Sequence, residues 1–149
     1  MRRFMAVLAV AATAGLMVAG TSSAAGSRAT VKTRHGKLGT FLVGGNGRTL
    51  YLFEKDKTSK STCSGQCAQF WPPLLTSGKA KASGQARGSK LGTTRRSDGK
   101  LQVTYNGHPV YYFSQDGKPG DTKGQDFSAF GAKWYVLSPA GKKIDKGDD

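Results

Sequence analysis

The two cysteines are the residues whose chemistry the sequence specifies most directly. Cys63 and Cys67 are separated by three residues, of which Gly65 is the middle one. In a regular helix their Cβ atoms would lie about 5–6 Å apart, which exceeds the ~3.8 Å typical of a disulfide. A loop distorted at Gly65 can close that gap, so we predict a structural disulfide. A redox-active thiol pair and a pair of metal ligands are the alternatives.

A metal site would need further ligands, and the sequence offers few. Copper bound by these cysteines would require histidine or methionine partners. All three methionines lie within the first 17 residues, and the only histidines are His35 and His108. The alternative metal site therefore consists of Cys63, Cys67 and His108. The simpler interpretation is that His108 is an ordinary histidine at the edge of a hairpin. We predict no metal and no cofactor.

The motifs of common hydrolases do not occur in the sequence. There is no Gly-x-Ser-x-Gly and no His-Glu-x-x-His, and Glu54 is the only glutamate. A mechanism with paired acids would have to use aspartates that lie at predicted turns. The stretch 116–126 resembles a calcium loop only superficially, because Lys118 and Lys123 interrupt it. We therefore predict that the protein is not an enzyme.

Two segments of the chain share one pattern of residue types, sixty positions apart. Asn46-Gly47 and Asn106-Gly107 are each followed, at identical offsets, by a tyrosine, a phenylalanine and an aspartate. These six residues are Tyr51, Phe53, Asp56, Tyr111, Phe113 and Asp116. Such self-similarity indicates two copies of one small unit. We interpret the six side chains as a structural signature, in which the aspartates fix the loops that follow them.

β-rich segments separated by turns surround both copies of the pattern. An Asn-Gly pair between two such segments favours a hairpin, since both central residues of a type I′ turn need positive φ. Each unit therefore predicts a three-stranded meander, and the second unit has its third strand at 108–113. Leu50 and Leu52 point to one face of their strand and Tyr51 and Phe53 to the other, so we expect both faces to be covered.

Together, the units predict a single mainly β domain at 26–141. One meander would be marginal alone, so we expect the two to pack as a small sandwich or barrel with pseudo-twofold symmetry. A short helical turn is predicted near 64–70. The remaining boundaries are repeats at about 29–75 and 91–141, a flexible linker at 76–90 that lacks large apolar residues, and a charged tail at 142–149.

Residues 1–25 have the pattern of a cleaved secretory signal. Two arginines precede an apolar, alanine-rich run at 5–19, and small residues follow up to Ala25. The run has about 15 residues, fewer than the ~20 that a membrane span needs. Residues 16–20 resemble the segment before the lipidated cysteine of bacterial lipoproteins, but Thr21 occupies the position of that cysteine. We predict secretion to an extracellular location, with neither a membrane span nor a lipid anchor.

The chain is strongly basic. Its formal net charge is +14, and it remains +12 when Arg2 and Arg3 are removed with the signal. Outside a cell, a positive net charge of this size favours contact with anionic polymers. A simpler explanation of the charge is that it keeps the protein soluble. The cations are scattered and have no interleaved aromatic residues, so specific nucleic-acid binding is not predicted.

The doubled Tyr-x-Phe-x-x-Asp motif resembles the secreted repeat family of unknown function, a group of predicted bacterial lipoproteins. The resemblance covers nearly the whole mature chain. It is also carried by Cys63-Ser64-Gly65-Gln66-Cys67, Trp71-Pro72-Pro73-Leu74, Leu91-Gly92-Thr93-Thr94, Arg96-Ser97-Asp98-Gly99 and Trp134-Tyr135-Val136-Leu137. It implies no agreed activity, and the missing lipobox cysteine means that membrane anchoring is not carried over.

Two functions of different classes fit these observations. We expect a non-enzymatic binding or structural module of the cell envelope, whose basic surface contacts an anionic cell-wall polymer or another envelope protein. The alternative is a redox or copper-handling accessory protein that uses Cys63 and Cys67.

Overall fold

The structure is a computed structural model that describes Gly15 and residues 26–145. The predicted signal segment and the end of the charged tail therefore lie outside the described residues. None of the helices in the described part is long and apolar enough to cross a membrane. The elements are β1 (Thr30–Gly36), β2 (Gly39–Gly44), β3 (Tyr51–Phe53), α1 (Gln66–Phe70), β4 (Lys81–Ala82), a 3-10 turn (Gly88–Lys90), β5 (Leu91–Arg95), β6 (Leu101–Tyr105), β7 (His108–Pro109), β8 (Phe127–Ala129) and β9 (Ala132–Val136).

The strands form three small sheets of three strands each. Their orders are β2-β1-β4, β5-β6-β7 and β3-β9-β8, and every pairing is antiparallel except that of β1 with β4. The mainly β prediction is thus confirmed, and α1 lies within the range predicted for a helical turn.

The two Asn-Gly pairs adopt different turns. Asn106 and Gly107 have φ values of 50° and 77°, which is the pattern that a type I′ hairpin requires. In the Asn46-Gly47 pair of the first repeat, only the glycine has positive φ, at 81°. The Asn46 side chain instead accepts a hydrogen bond from the amide of Arg48 at 3.0 Å, which closes the turn locally. The same dipeptide therefore makes a hairpin turn of the predicted type only in the second repeat.

The repeats exchange their last segments, a feature that the predicted independent meanders did not include. β5, β6 and β7 form the expected meander, but β3 pairs with β9 of the second repeat, with Phe53 opposite Trp134. Reciprocally, the segment after α1 reaches the second repeat, where the Tyr112 amide donates to the Pro72 carbonyl at 2.7 Å. β7 ends at Pro109, before the predicted position 113, because the chain beyond it pairs with the first repeat.

Two buried clusters fill the interior, one on each side of the central strands. Leu50 and Leu52 lie in one cluster and Tyr51 and Phe53 in the other, so both faces of this strand are covered as expected. The aliphatic cluster contains Val31, Leu42, Leu50, Leu52, Leu74, Ala80, Leu91, Val103, Tyr105, Val110, Tyr135 and Leu137. The aromatic cluster contains Phe41, Val43, Tyr51, Phe53, Cys63, Cys67, Trp71, Tyr111, Phe113, Trp134, Val136 and Ile144. Each draws on both repeats, so the core is shared between them.

Residues 76–90 pack against the first sheet, in contrast to the flexible linker predicted from their composition. β4 pairs with β1, the Ser83 amide donates to the Val31 carbonyl at 3.0 Å, and Ala80 is buried. Strand pairing satisfies the backbone without large apolar side chains, which is why composition alone missed it. The start of the predicted tail also packs, because the Ile144 amide donates to the Val136 carbonyl and its side chain is buried.

Candidate functional site

The two motif tyrosines meet at the centre of the molecule. The Tyr51 amide donates to the Tyr111 carbonyl at 2.8 Å, and the Tyr111 amide donates back to the Tyr51 carbonyl at 3.0 Å. Both side chains are fully buried. This reciprocal pair joins the two repeats through the backbone at equivalent positions of the signature.

The tyrosine side chains cross to the aspartates of the opposite repeat. The Tyr51 hydroxyl donates to Asp116 at 2.6 Å, and the Tyr111 hydroxyl donates to Asp56 at 2.6 Å. The other oxygen of each carboxylate accepts from the following loop, from the Thr62 amide at 2.7 Å in one case and from the Lys123 amide at 2.9 Å in the other. The signature therefore ties each repeat to a loop of its partner.

Burial sets the protonation of this cluster. It raises the pKa of Tyr51 and of Tyr111 far above the usual range, and the nearby aspartates raise both further. Burial also raises the pKa of Asp116, against the opposing effect of the hydrogen bond from Tyr51. The two phenols remain protonated over the physiological range and act as hydrogen-bond donors to the carboxylates.

Four aromatic rings stack beside the tyrosines. Trp71 and Trp134 are parallel, with centroids 3.9 Å apart, and each is stacked on its other face by a motif phenylalanine. Phe53 lies 4.0 Å from Trp134 and Phe113 lies 4.1 Å from Trp71. The signature phenylalanines are thus the outer members of the stack. The exchange between the repeats brings the two tryptophans together. Because this contact does not depend on a local pattern, the sequence did not predict it.

The cysteines form the predicted disulfide. Cys63 and Cys67 are bonded, with Cα atoms 5.2 Å apart, and Gly65 has a φ of 59° immediately before α1. The distorted loop at this glycine brings the two sulfurs together, as expected. Within the described residues no group of three or more His, Cys, Asp or Glu side chains is placed to hold a metal ion. The redox and copper-handling alternative, with Cys63, Cys67 and His108 as ligands, would first require this bond to open.

Arg96 holds the disulfide loop, a role that sequence reasoning missed. Its guanidinium is buried and donates to the Cys63 carbonyl at 2.6 Å, to the Ser61 hydroxyl at 3.0 Å and to Gln102 Oε1 at 2.8 Å. Gln102 in turn donates to the Val110 carbonyl at 2.9 Å. A buried arginine requires such acceptors because an unsatisfied charge would be costly. Its position between β5 and the turn that follows gives no sign of burial in the sequence.

Two grooves lie near the signature aspartates and differ in charge. The first, which we call the basic groove, has a volume of about 580 Å³ and is lined by Arg34, His35, Gly36, Lys37, Leu38, Phe41, Lys118, Pro119, Gly120, Asp121 and Thr122. The second, the His108 groove, has a volume of about 430 Å³ and is lined by Leu52, Phe53, Glu54, Asp56, Lys57, Asn106, His108, Gly141, Lys142 and Lys143.

The His108 groove has the more even balance of positive and negative side chains of the two grooves. Lys143 forms an ion pair with Glu54 at 2.8 Å, and the buried Asp56 carboxylate also borders the space. Burial lowers the pKa of His108, although the Asp56 charge acts in the opposite direction. His108 therefore shares this groove with two acids, one of them the signature residue Asp56, and with three lysines. The other histidine, His35, is exposed in the basic groove, with Nδ1 3.3 Å from Thr40 Oγ1.

The geometry defines a class of β proteins in which two repeats share one core by reciprocal exchange. The sequence model of a family described as a secreted repeat of unknown function matches residues 32–75 and 92–138, so both repeats are recognised. The chain belongs to this secreted repeat family. No curated protein and no solved structure matches it.

Proposed function

We propose that the protein is a secreted, non-enzymatic binding module whose basic surface holds an anionic polymer of the cell envelope. The observation that carries this proposal is the unequal placement of its charges. The chain has 23 Lys and Arg residues against nine Asp and Glu residues. Two of those nine acids, Asp56 and Asp116, are buried at the centre of the molecule.

The remaining acids are also largely engaged. Glu54 and Asp126 each form an ion pair with a lysine, at 2.8 Å and 2.9 Å. Asp121 and Asp98 accept hydrogen bonds from the backbone amides of their own turns. Within residues 26–145, only Lys123, Lys133 and Lys143 form ion pairs, so most of the cations there lack a paired carboxylate to offset their field. A polyanion supplies the missing charge.

Binding to polymers of different charge tests the proposal. Residues 26–149 would be titrated with fluorescent linear polyphosphate, with polygalacturonate and with neutral dextran of similar length. We expect both anionic polymers to bind and dextran not to bind. Binding should weaken at least about tenfold as the salt concentration rises from about 50 to about 200 mM, because exposed charges are screened.

Two results would overturn the proposal. One is an absence of binding to both polyanions at the lower salt concentration. The other is binding that is equally strong to neutral dextran and insensitive to salt, since such binding would rest on contacts other than charge. A parallel assay with a denatured and alkylated sample controls for the attraction that any unfolded basic chain would show.

A further inference from the structure

The basic groove lies between the β1–β2 hairpin and the loop that follows the second motif aspartate. Arg34, His35 and Lys37 enter it from the hairpin, and Lys118 enters from the opposite loop. All four side chains are exposed. Its inner wall includes Leu38 and the buried Phe41. Four basic side chains and a single acid therefore line this concave space, whereas the three lysines of the His108 groove share theirs with two acids.

Arg34 is positioned by a glycine of the facing loop. A Cβ atom at Gly120 would lie 2.7 Å from Arg34 Nε and 2.8 Å from Cζ, so the guanidinium rests directly against the glycine backbone. Gly120 also has a φ of 86°, which favours glycine at this turn. The missing side chain at Gly120 thus leaves room for the guanidinium beside the groove, and a larger residue there would displace it.

The one acid in the groove does not neutralise these cations. The Asp121 carboxylate accepts from the amides of Gly117 at 3.0 Å and Lys118 at 3.2 Å, and it lies 4.0 Å from Lys123 Nζ. It therefore serves the turn of its own loop. Across residues 26–145, the side chains of Arg34, Lys37 and Lys118 form no ion pair.

We propose that the basic groove is the site at which the polymer is held, through a phosphate or carboxylate oxyanion bound by Arg34, Lys37 and Lys118. This inference rests on the proposed function and assigns it to one place. Arginine suits such a role because its planar fork binds oxyanions in a bidentate manner, while lysines add point charges. The His108 groove is the weaker candidate, because Glu54 and Asp56 offset two of its three lysines and Lys143 is already paired with Glu54.

A pair of charge-matched variants tests the assignment. Arg34→Gln/Lys37→Gln/Lys118→Gln removes three charges from the groove, and Lys57→Gln/Lys60→Gln/Lys142→Gln removes three exposed charges elsewhere. We expect the groove variant to bind polyphosphate or polygalacturonate about tenfold more weakly, and the control to lose about threefold or less through the change in overall charge. Equal losses in the two variants would overturn the groove assignment while leaving polyanion binding itself in place.

A second pair of variants keeps the net charge constant and tests the position of the Arg34 guanidinium. Gly120→Ala would displace the guanidinium, whereas Gly99→Ala imposes similar backbone strain, at a φ of 84°, with no atom within 4 Å of the new Cβ. We expect weaker binding from Gly120→Ala only. Unchanged binding in a folded Gly120→Ala variant, verified by thermal melting, would contradict the role of Arg34.

The two polymers also distinguish the source of the oxyanion. Loss of polyphosphate binding alone in the groove variant would assign a phosphodiester or phosphate polymer, and loss of polygalacturonate binding alone would assign a uronate polymer. If wild-type protein binds neither polymer, the proposed function fails, and that result differs from failure of the groove assignment.

Discussion

Asp56 and Asp116 occupy equivalent positions in the two repeats, yet the loops that follow them are held by different means. Asp56 accepts two hydrogen bonds from Thr62, through its amide and its hydroxyl, in addition to that from Tyr111. Asp116 accepts one from the Lys123 amide in addition to that from Tyr51. The Asp56 loop also carries the disulfide, and the buried Arg96 holds it from the second repeat.

This difference indicates that the centre of each repeat and the loop beyond its aspartate have different structural roles. The centre, with paired tyrosines and stacked tryptophans, is built alike from both copies and secures the shared core. The loops beyond the aspartates share the carboxylate contact but differ in the other contacts that hold them. In the first, Ser61 contacts the Tyr111 hydroxyl, and in the second the Gly124 amide donates to the Tyr51 hydroxyl. The first loop is cross-linked and bound to Arg96, while the second forms the turn that borders the basic groove. Identical motifs can therefore support unlike surfaces.

The largest expected effect comes from the tyrosine hydroxyls. Tyr51→Phe would leave Asp116 with one backbone donor, and we expect a loss of about 3 kcal/mol in the free energy of unfolding. Tyr111→Phe should cost about 1.5 kcal/mol, because Asp56 keeps both donors of Thr62. Urea unfolding followed by tryptophan fluorescence measures both values. Tyr112→Phe, at a half-buried position outside the pair, is the control and should cost less than either.

Equal losses from the two tyrosine variants, or a larger loss from Tyr111→Phe, would show that the extra donors around Asp56 do not compensate.

Reduction of the disulfide should affect one loop and not the other. A cross-link that closes a loop of this size stabilises the fold by about 2 kcal/mol in the chain-entropy description, so reduction should lower the free energy of unfolding by about that amount. Hydrogen exchange followed by mass spectrometry should show faster exchange at 56–67 and unchanged exchange at 116–124. The double variant Cys63→Ala/Cys67→Ala provides a reagent-free comparison. Faster exchange in both loops would mean that the disulfide braces the whole core.

The smallest effect concerns pH. Burial raises the pKa of Asp116 above its ordinary value of 3.8, so the folded protein binds this proton more tightly than the unfolded chain does. The resulting stability is fully present below the unfolded pKa and is lost as the pH rises through the folded pKa. Asp116→Asn removes this dependence, so its deficit relative to wild type should shrink as the pH increases from about 4. A constant or growing deficit across that range would refute the assignment.

The sequence was sufficient for the parts of the fold that depend on local pattern. The doubled signature, β5 and β6 of the second repeat, the short helix and the disulfide all follow from spacing and turn chemistry over a few residues. Gly65 illustrates this, since one glycine between two cysteines predicts the distortion that the bond requires. The two-sided burial of residues 50–53 likewise follows from their alternating types.

The exchange between repeats was not predictable in the same way. Its partners lie between 40 residues apart, for Pro72 and Tyr112, and 85 residues apart, for Tyr51 and Val136. Nothing in the sequence near these residues indicates which distant segment each will meet. Arg96 was missed for a related reason, because its acceptors at Ser61 and Cys63 come from the other repeat. The basic groove combines a hairpin and a loop that are distant in sequence, so the scattered cations gave no sign of it.

The exchange of segments between the repeats determines how the protein responds to truncation and to proteolysis. A fragment ending near residue 75 would lack β9, the partner of β3. Its complement would keep the β5-β6-β7 sheet but would lack the segments that bridge to Tyr111. Proteolysis between residues 76 and 90 would consequently leave one nicked particle instead of two separable domains. The repeats are duplicated in sequence but indivisible as folding units, and the many contacts between distant residues favour slow assembly.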